Sequence, residues 1–86
     1  MTVLVTLYTK PGCHLCEQLH ADLAGLHAEL PFVLVERDIT EDAADEARFR
    51  DVIPVLAIGT GPLLYPPHDL TQIRAALLSA RRDAAT

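Results

Sequence analysis

The chain has 86 residues, half of them apolar, and its 12 acidic and 7 basic side chains give a net charge of -5. This size predicts one domain with a modest core, and the apolar content argues against disorder. The negative charge argues against a nucleic-acid-binding surface, and no apolar run approaches the length of a membrane span. The first residues alternate like a strand and lack a basic segment, so we expect no signal peptide and a cytoplasmic location.

The first half of the chain predicts a strand, a helix and a second strand. Residues 3–9 alternate and are rich in β-branched side chains, as is typical of a strand. Leucines spaced by three or four residues from Leu15 onward then form one helix face. This helix should end near Leu30, because the following proline disfavours helical conformation there. The continuous apolar run 32–35 predicts a strand buried on both faces, parallel to the first and continuing toward Ile39.

A short helix and a third strand are predicted next. Thr40 is the expected N-cap of that helix, and Glu41 and Asp42 suit the positive end of its dipole. We expect the helix to reach about Arg50. The apolar run 54–58 then predicts another buried strand.

The chain after residue 58 predicts a hairpin and a final helix. A Gly-Thr-Gly turn favours a fourth strand over 63–65, antiparallel to the third, and flanking prolines confine it to a sheet edge. Asp69, with Gln72 three residues later, resembles a capping box and begins the last helix. The tail 83–86 is expected to fray, so residues 1–82 form the single domain. The prediction is an α/β fold of order β-α-β-α-β-β-α, with a four-stranded mixed sheet and three helices.

The segment 10–16, which we call the cysteine segment, reads Lys-Pro-Gly-Cys-His-Leu-Cys and joins the first strand to the first helix. Cys13 lies at the helix start, where unpaired N–H groups and the helix dipole favour thiolate over thiol. Cys16 lies one turn further and can close a disulfide with it. Such a bridge closes a tiny loop and stabilises by about 2 kcal/mol at best, which is little for a structural staple. The pair therefore predicts a dithiol–disulfide redox site in a reducing compartment.

This order of elements, with the cysteine pair at the first strand–helix junction and Ile53-Pro54 before the third strand, resembles the thioredoxin fold. Length and the approach to the cysteines in residues 8–13 resemble glutaredoxins and the small redoxins that reduce ribonucleotide reductase. The resemblance implies that Cys13 attacks the substrate and that Cys16 resolves the mixed disulfide. It also implies a cis bond before Pro54, which would leave the Ile53 backbone free to pair with a substrate peptide. A trans proline that merely opens the strand is the alternative.

Two stretches depart from the glutaredoxin pattern. His14-Leu15 replaces the Pro-Tyr pair that typical glutaredoxins have between the cysteines. The Gly-Gly pair that approaches glutathione is replaced by Leu, Tyr, two prolines and His in residues 64–68, and only Asp69 matches. We therefore expect a relative without the glutathione site, which takes electrons from a thioredoxin-reductase-type protein. The expected protein is a monomer that acts on disulfide-containing substrates, with the redox-active disulfide and no bound cofactor.

Three other residues of the cysteine segment are candidates for supporting roles. Lys10 either stabilises a thiolate or substrate carboxylate or is an ordinary surface lysine. Gly12 allows a sharp turn before the helix. His14, when protonated, would stabilise the reduced thiolate and make the disulfide more oxidising. The alternative for His14 is an exposed loop histidine with little effect.

A soft-metal-binding or carrier module is the alternative function. The thiolates of Cys13 and Cys16, with the imidazole of His14 or His20, suit zinc or copper. Structural zinc normally takes four ligands, and the sequence has no second ligand pair at diagnostic spacing. The redox function is therefore favoured, and no metal ligands are assigned.

Overall fold

The computed structural model describes residues 2–85. The three strands form one mixed sheet of order β2-β1-β3, in which β1 is parallel to β2 and antiparallel to β3. The predicted α/β class, mixed sheet and three helices are confirmed. Helix α3 includes residues 83–85, for which a fraying tail is predicted, and Thr86 lies outside the described residues. The elements are β1 (Leu4–Thr9), α1 (His14–Glu29), β2 (Val33–Asp38), a 3-10 turn (Ile39–Glu41), α2 (Ala43–Phe49), β3 (Val55–Ile58) and α3 (Leu70–Ala85).

The prediction of a fourth strand is wrong, because the structure has only a single bridge there, between Leu56 and Leu64. These two residues exchange both backbone hydrogen bonds, with N–O distances of 3.0 and 2.9 Å. In an antiparallel ladder the next such pair would join Pro54 to Pro66, and the pair on the other side would involve Pro62. Proline has no N–H to donate. The ladder therefore stops on both sides of the bridge, and the sheet has three strands.

The second helix begins later than predicted, because Asp42 and not Thr40 is its N-cap. The Asp42 carboxylate accepts hydrogen bonds from the N–H groups of Ala44 and Asp45, at 2.9 and 3.0 Å. Thr40 instead lies in the preceding 3-10 turn, where its hydroxyl donates to the Asp38 carboxylate at 2.6 Å. The same carboxylate accepts from the Thr40 N–H and begins the 3-10 turn that precedes α2.

Strand β2 is not buried on both faces as predicted. Val33 and Val35 are 48% and 40% exposed, whereas Leu34 packs against the main core. Among the described strands, β2 pairs with β1 alone and forms a sheet edge. The hydrophobic cluster that joins α2 to the start of β3 does not include Val33 or Val35.

The main core lies between one sheet face and the helices α1 and α3. Leucines of the predicted α1 stripe contribute to it, but Leu15, at the start of the stripe, is 61% exposed. A smaller cluster on the other face joins α2 to the start of β3. Between residues 2 and 85, none of the helices is both long and apolar enough to cross a bilayer. The buried residues of the main core are Val3, Val5, Leu7, Leu19, Leu23, Leu26, Phe32, Leu56, Ile58, Ile73 and Leu77.

Candidate functional site

Cys13 and Cys16 form a disulfide at the N-terminus of α1, with their Cα atoms 5.3 Å apart. Cys13 is the N-cap of the helix, and its sulfur accepts a hydrogen bond from the Cys16 N–H at an N–S distance of 3.2 Å. Cys13 is half-buried, whereas Cys16 is only 3% exposed. The sulfur that the helix N-terminus stabilises is therefore also the more accessible one, which is the arrangement that an attacking Cys13 and a resolving Cys16 require.

Gly12 turns the chain from β1 into α1. Its φ is +77°, in the left-handed region where a side chain would be strained. A Cβ built at this position would contact nothing within 4 Å. The turn therefore needs glycine for its backbone conformation and not for lack of space, and it places Cys13 at the helix start.

Lys10 and His14 both lie on the surface of the cysteine segment. The His14 side chain is 99% exposed, and its Nδ1 lies 3.8 Å from Oε2 of Glu17. Glu17 is in the first turn of α1, where a carboxylate complements the helix dipole. Its negative charge opposes the field that a protonated His14 would exert on the cysteine sulfurs. Lys10 is exposed and forms no ion pair within residues 2–85.

The residues before β3 lie at the same end of the sheet as the cysteine segment. Because β3 is antiparallel to β1, with Val55 opposite Tyr8, the start of β3 lies beside the end of β1. The Ile53–Pro54 peptide bond is cis, and Pro54 is fully buried. Pro54 and Leu15, which stands between the two cysteines, line the same groove. The structure thus brings Ile53 and Pro54 to the redox loop.

The groove that Leu15 and Pro54 share has a volume of about 450 Å³. One side of it is formed by the first turns of α1. The other side is formed by Pro54 and by part of residues 62–69, which we call the proline segment. The residues that line the groove are Leu15, Gln18, Leu19 and Asp22 from α1, together with Pro54, Pro66, Pro67 and His68.

His68 is a site residue that the sequence reasoning missed. Its Nε2–H donates a hydrogen bond to the carbonyl oxygen of Pro54, with an N–O distance of 2.7 Å. Because a carbonyl can only accept, Nε2 carries the hydrogen in this arrangement. The sequence offers one signal for this bond, the prolines at 54 and 66. If these two residues face each other in a ladder, Pro66 has no N–H to donate to the Pro54 carbonyl, which then needs another donor.

The residues considered as metal ligands do not gather around the cysteines. His14 lies beside Glu17, and Nε2 of His20 lies 3.8 Å from Oε1 of Glu36. Across the described part of the chain, no group of three or more His, Cys, Asp or Glu side chains is placed to hold a metal ion. The metal alternative therefore gains no ligand set from the fold.

The family model of the Glutaredoxin-like domain (DUF836) matches residues 4–78. The chain belongs to this family. The predicted resemblance is thereby confirmed, and the matched region of this glutaredoxin-like domain includes the cysteine segment, Pro54 and the whole proline segment. No curated protein matches the chain.

Solved structures share the fold of this glutaredoxin-like domain. The structural-genomics target XcR50 from X. campestris is 36% identical, with a TM-score of 0.75 over 88% of this chain and 97% of that one. Protein Ne2328 from Nitrosomonas europaea is 27% identical, with a TM-score of 0.76 over 87% of this chain and 91% of that one. A malarial protein, 14% identical with a TM-score of 0.66 over 93% and 98% of the two chains, shows likeness in fold alone.

Proposed function

We propose that this glutaredoxin-like domain is a thiol–disulfide oxidoreductase that reduces disulfides in protein or small-molecule substrates. The observation that carries the proposal is the Cys13–Cys16 disulfide at the N-terminus of α1, with the more exposed sulfur bonded to a helix N–H. A disulfide this local contributes little to stability, so its position at a groove favours a catalytic use. The reducing cytosol is the compartment that suits such a dithiol.

The reaction starts from the reduced dithiol. The Cys13 thiolate attacks one sulfur of the substrate disulfide, so that a Cys13–substrate bond forms and the other substrate sulfur leaves as a thiolate that solvent protonates. Cys16 then loses its proton to solvent and attacks Sγ of Cys13, which closes the Cys13–Cys16 bridge and releases the second substrate thiol. Two electrons pass from the protein dithiol to the substrate, and an external donor must return them.

The backbone of Ile53 is the proposed contact for an extended substrate chain. Within residues 2–85, neither its N–H nor its carbonyl has a backbone hydrogen-bond partner. Free backbone groups beside the reactive sulfur can pair with a substrate strand in the manner of strand addition. Lys10 is then the cation available to a substrate carboxylate, and Gly12 and Pro54 hold the two sides of the loop in place.

A protein reductase of the thioredoxin-reductase type is the proposed electron donor, in preference to glutathione. The support comes from the proline segment, where glutaredoxins expose bare backbone. Both backbone groups of Leu64 are already bonded to Leu56, and the Tyr65 side chain is 49% exposed. Pro66 and Pro67 have no N–H to offer. Asp69, which matches the glutaredoxin pattern, caps α3 by accepting from the Thr71 N–H at 2.8 Å, so the helix explains it without a ligand.

The decisive experiment supplies the oxidised protein and a disulfide substrate with two alternative sources of electrons. One reaction contains glutathione, glutathione reductase and NADPH, and the other contains thioredoxin reductase and NADPH. We expect NADPH consumption in the second reaction only, and no consumption with a Cys13→Ser control. Fast turnover with glutathione would contradict the proposed donor, while an absence of disulfide reduction even by the chemically pre-reduced protein would contradict the oxidoreductase itself.

A further inference from the structure

We propose that His68 is a positioning residue of the redox site, and this inference rests on the proposed function. His68 holds the Pro54 carbonyl and thereby fixes the Ile53–Pro54 segment in the orientation that presents the Ile53 backbone to a substrate chain. The structural basis is the 2.7 Å bond from Nε2–H of His68 to that carbonyl.

The need for this bond follows from the register of the Leu56–Leu64 bridge. In that register, residue 66 stands opposite residue 54, and its N–H would donate to the Pro54 carbonyl in an uninterrupted ladder. Pro66 has no N–H, and Pro54 is fully buried, so water is a poor substitute donor. The His68 imidazole supplies the missing hydrogen from two residues further along the chain.

The bond also connects two loops that the sheet does not connect. Pro54 ends the loop before β3, and His68 lies in the proline segment directly before Asp69, the cap of α3. Strand pairing between these regions ends at Leu56 and Leu64. The His68 bond therefore takes the place of the next rung, at the groove that Leu15 lines beside the disulfide.

Substitutions at position 68 can separate the hydrogen bond of the imidazole from the size and the charge of the side chain. Nε2 carries a hydrogen both in the Nε2–H tautomer of a neutral imidazole and in an imidazolium ring, so either form can donate to the Pro54 carbonyl. A glutamine side chain can place an amide N–H close to the position of Nε2, whereas asparagine is too short to do so. Leucine fills similar space without a donor. The series His68→Gln, His68→Asn and His68→Leu thus tests the hydrogen bond itself.

The experiment measures single-turnover oxidation of the pre-reduced protein by two substrates. One is a disulfide-linked peptide pair, which has backbone on both sides of its cysteines, and the other is 2-hydroxyethyl disulfide, which has no peptide backbone. For His68→Leu and His68→Asn we expect the half-saturating peptide concentration to rise about tenfold, the effect of losing roughly one hydrogen bond. We expect His68→Gln to restore wild-type behaviour, and all variants to react equally with the small disulfide. His20→Asn, on α1 outside this groove, is the matched control.

The outcomes separate this inference from the proposed function. If the wild type oxidises with both substrates and His68→Leu does so with unchanged saturation, the positioning role is overturned and the function stands. If His68→Leu slows both substrates equally, or if His68→Gln fails to rescue, His68 has a general structural role and the inference is also overturned. If the wild type reacts with neither substrate, the proposed function fails and the positioning role falls with it.

Discussion

The cysteine segment and the proline segment contribute to the same corner of the molecule but depend on different interactions. Every feature of the first is local, since the positive φ of Gly12 and the cap formed by Cys13 involve residues adjacent in the chain. The second depends on remote partners, because Leu64 is bonded to Leu56 and His68 to Pro54. The proposed reactivity of the cysteines therefore depends on residues that are neighbours in sequence, whereas the proposed substrate surface depends on the register between distant residues.

Replacement of the two cysteines in the cysteine segment has the largest expected effect. Cys13→Ser should abolish disulfide reduction, because the attacking sulfur is lost. Cys16→Ser should still react once and accumulate a mixed disulfide on Cys13, since no thiol remains to resolve it. Mass spectrometry of the protein after reaction with a disulfide peptide would distinguish the two. A stable adduct on Cys16 of the Cys13→Ser variant, or faster alkylation of Cys16 in the reduced wild type, would reverse the assigned roles.

The contacts of the proline segment with distant residues can be tested by exchanging one hydrogen-bond donor to the Pro54 carbonyl for another. His68→Leu leaves the buried Pro54 carbonyl without a partner and should lower the free energy of unfolding by about 1–3 kcal/mol. Adding Pro66→Ala restores an N–H at the ladder position opposite that carbonyl. The free energy of unfolding of the double variant should therefore be about 1 kcal/mol higher than the sum of the two single-variant changes predicts.

Urea denaturation of the wild type, both single variants and the double variant completes this cycle. Pro66→Ala alone is the matched control, and its own loss of about 0.4–1 kcal/mol reflects a freer unfolded chain. Strict additivity of the two changes would show that residue 66 does not face the Pro54 carbonyl. Proline at position 66 would then not be the reason that the ladder stops after the Leu56–Leu64 bridge.

Substitutions of Asp69 have a smaller expected effect and test whether this residue only caps α3 or also binds a ligand. Asp69→Ala removes the acceptor of the Thr71 N–H and should cost about 1 kcal/mol of stability, whereas Asp69→Asn should cost less because asparagine also caps helices. Neither change should alter the rate of disulfide reduction per folded molecule. A loss of rate in Asp69→Asn at unchanged stability would instead identify a contact between this carboxylate and the substrate or reductant.

Local signals account for what the sequence predicted correctly. The leucine spacing and the proline at 31 located α1, and the cysteine segment was placed at the correct strand–helix junction. The Asp69 cap was also predicted from its immediate context, and the structure shows the carboxylate in that role. Each of these depends on interactions within a few residues, which a sequence pattern records directly.

The errors concern residues whose state depends on a distant neighbour. Val33 and Val35 are apolar, but nothing in their own segment shows that they lie outside the cluster that α2 forms with the start of β3. The prolines at 62 and 66 were interpreted as marks of an edge strand, although in register with β3 they end the ladder altogether. The hydrogen bond of His68 also depends on this register, because it replaces the one that Pro66 cannot donate to Pro54. Thr40 is not the cap of α2 because the chain first forms a 3-10 turn over Ile39–Glu41, which the Asp38 carboxylate begins.

The smallest expected effect concerns His14, whose predicted role in the cysteine segment is electrostatic. A positive charge on the His14 imidazole would favour the reduced thiolate, so His14→Ala should make the disulfide more reducing. The side chain is 99% exposed and Glu17 lies 3.8 Å away, so solvent screening and the opposing charge should keep the shift below about 30 mV. The potentials are compared at about pH 6 and about pH 8, which span the range in which histidine side chains in general change charge. Glu17→Gln is the matched control, because removing the opposing carboxylate should shift the potential in the oxidising direction. Equilibration of both variants with a glutathione redox buffer at the two pH values measures these shifts. An unchanged potential in His14→Ala across this range would leave the helix N-terminus, which bonds Cys13 directly, as the source of thiolate stabilisation in the cysteine segment.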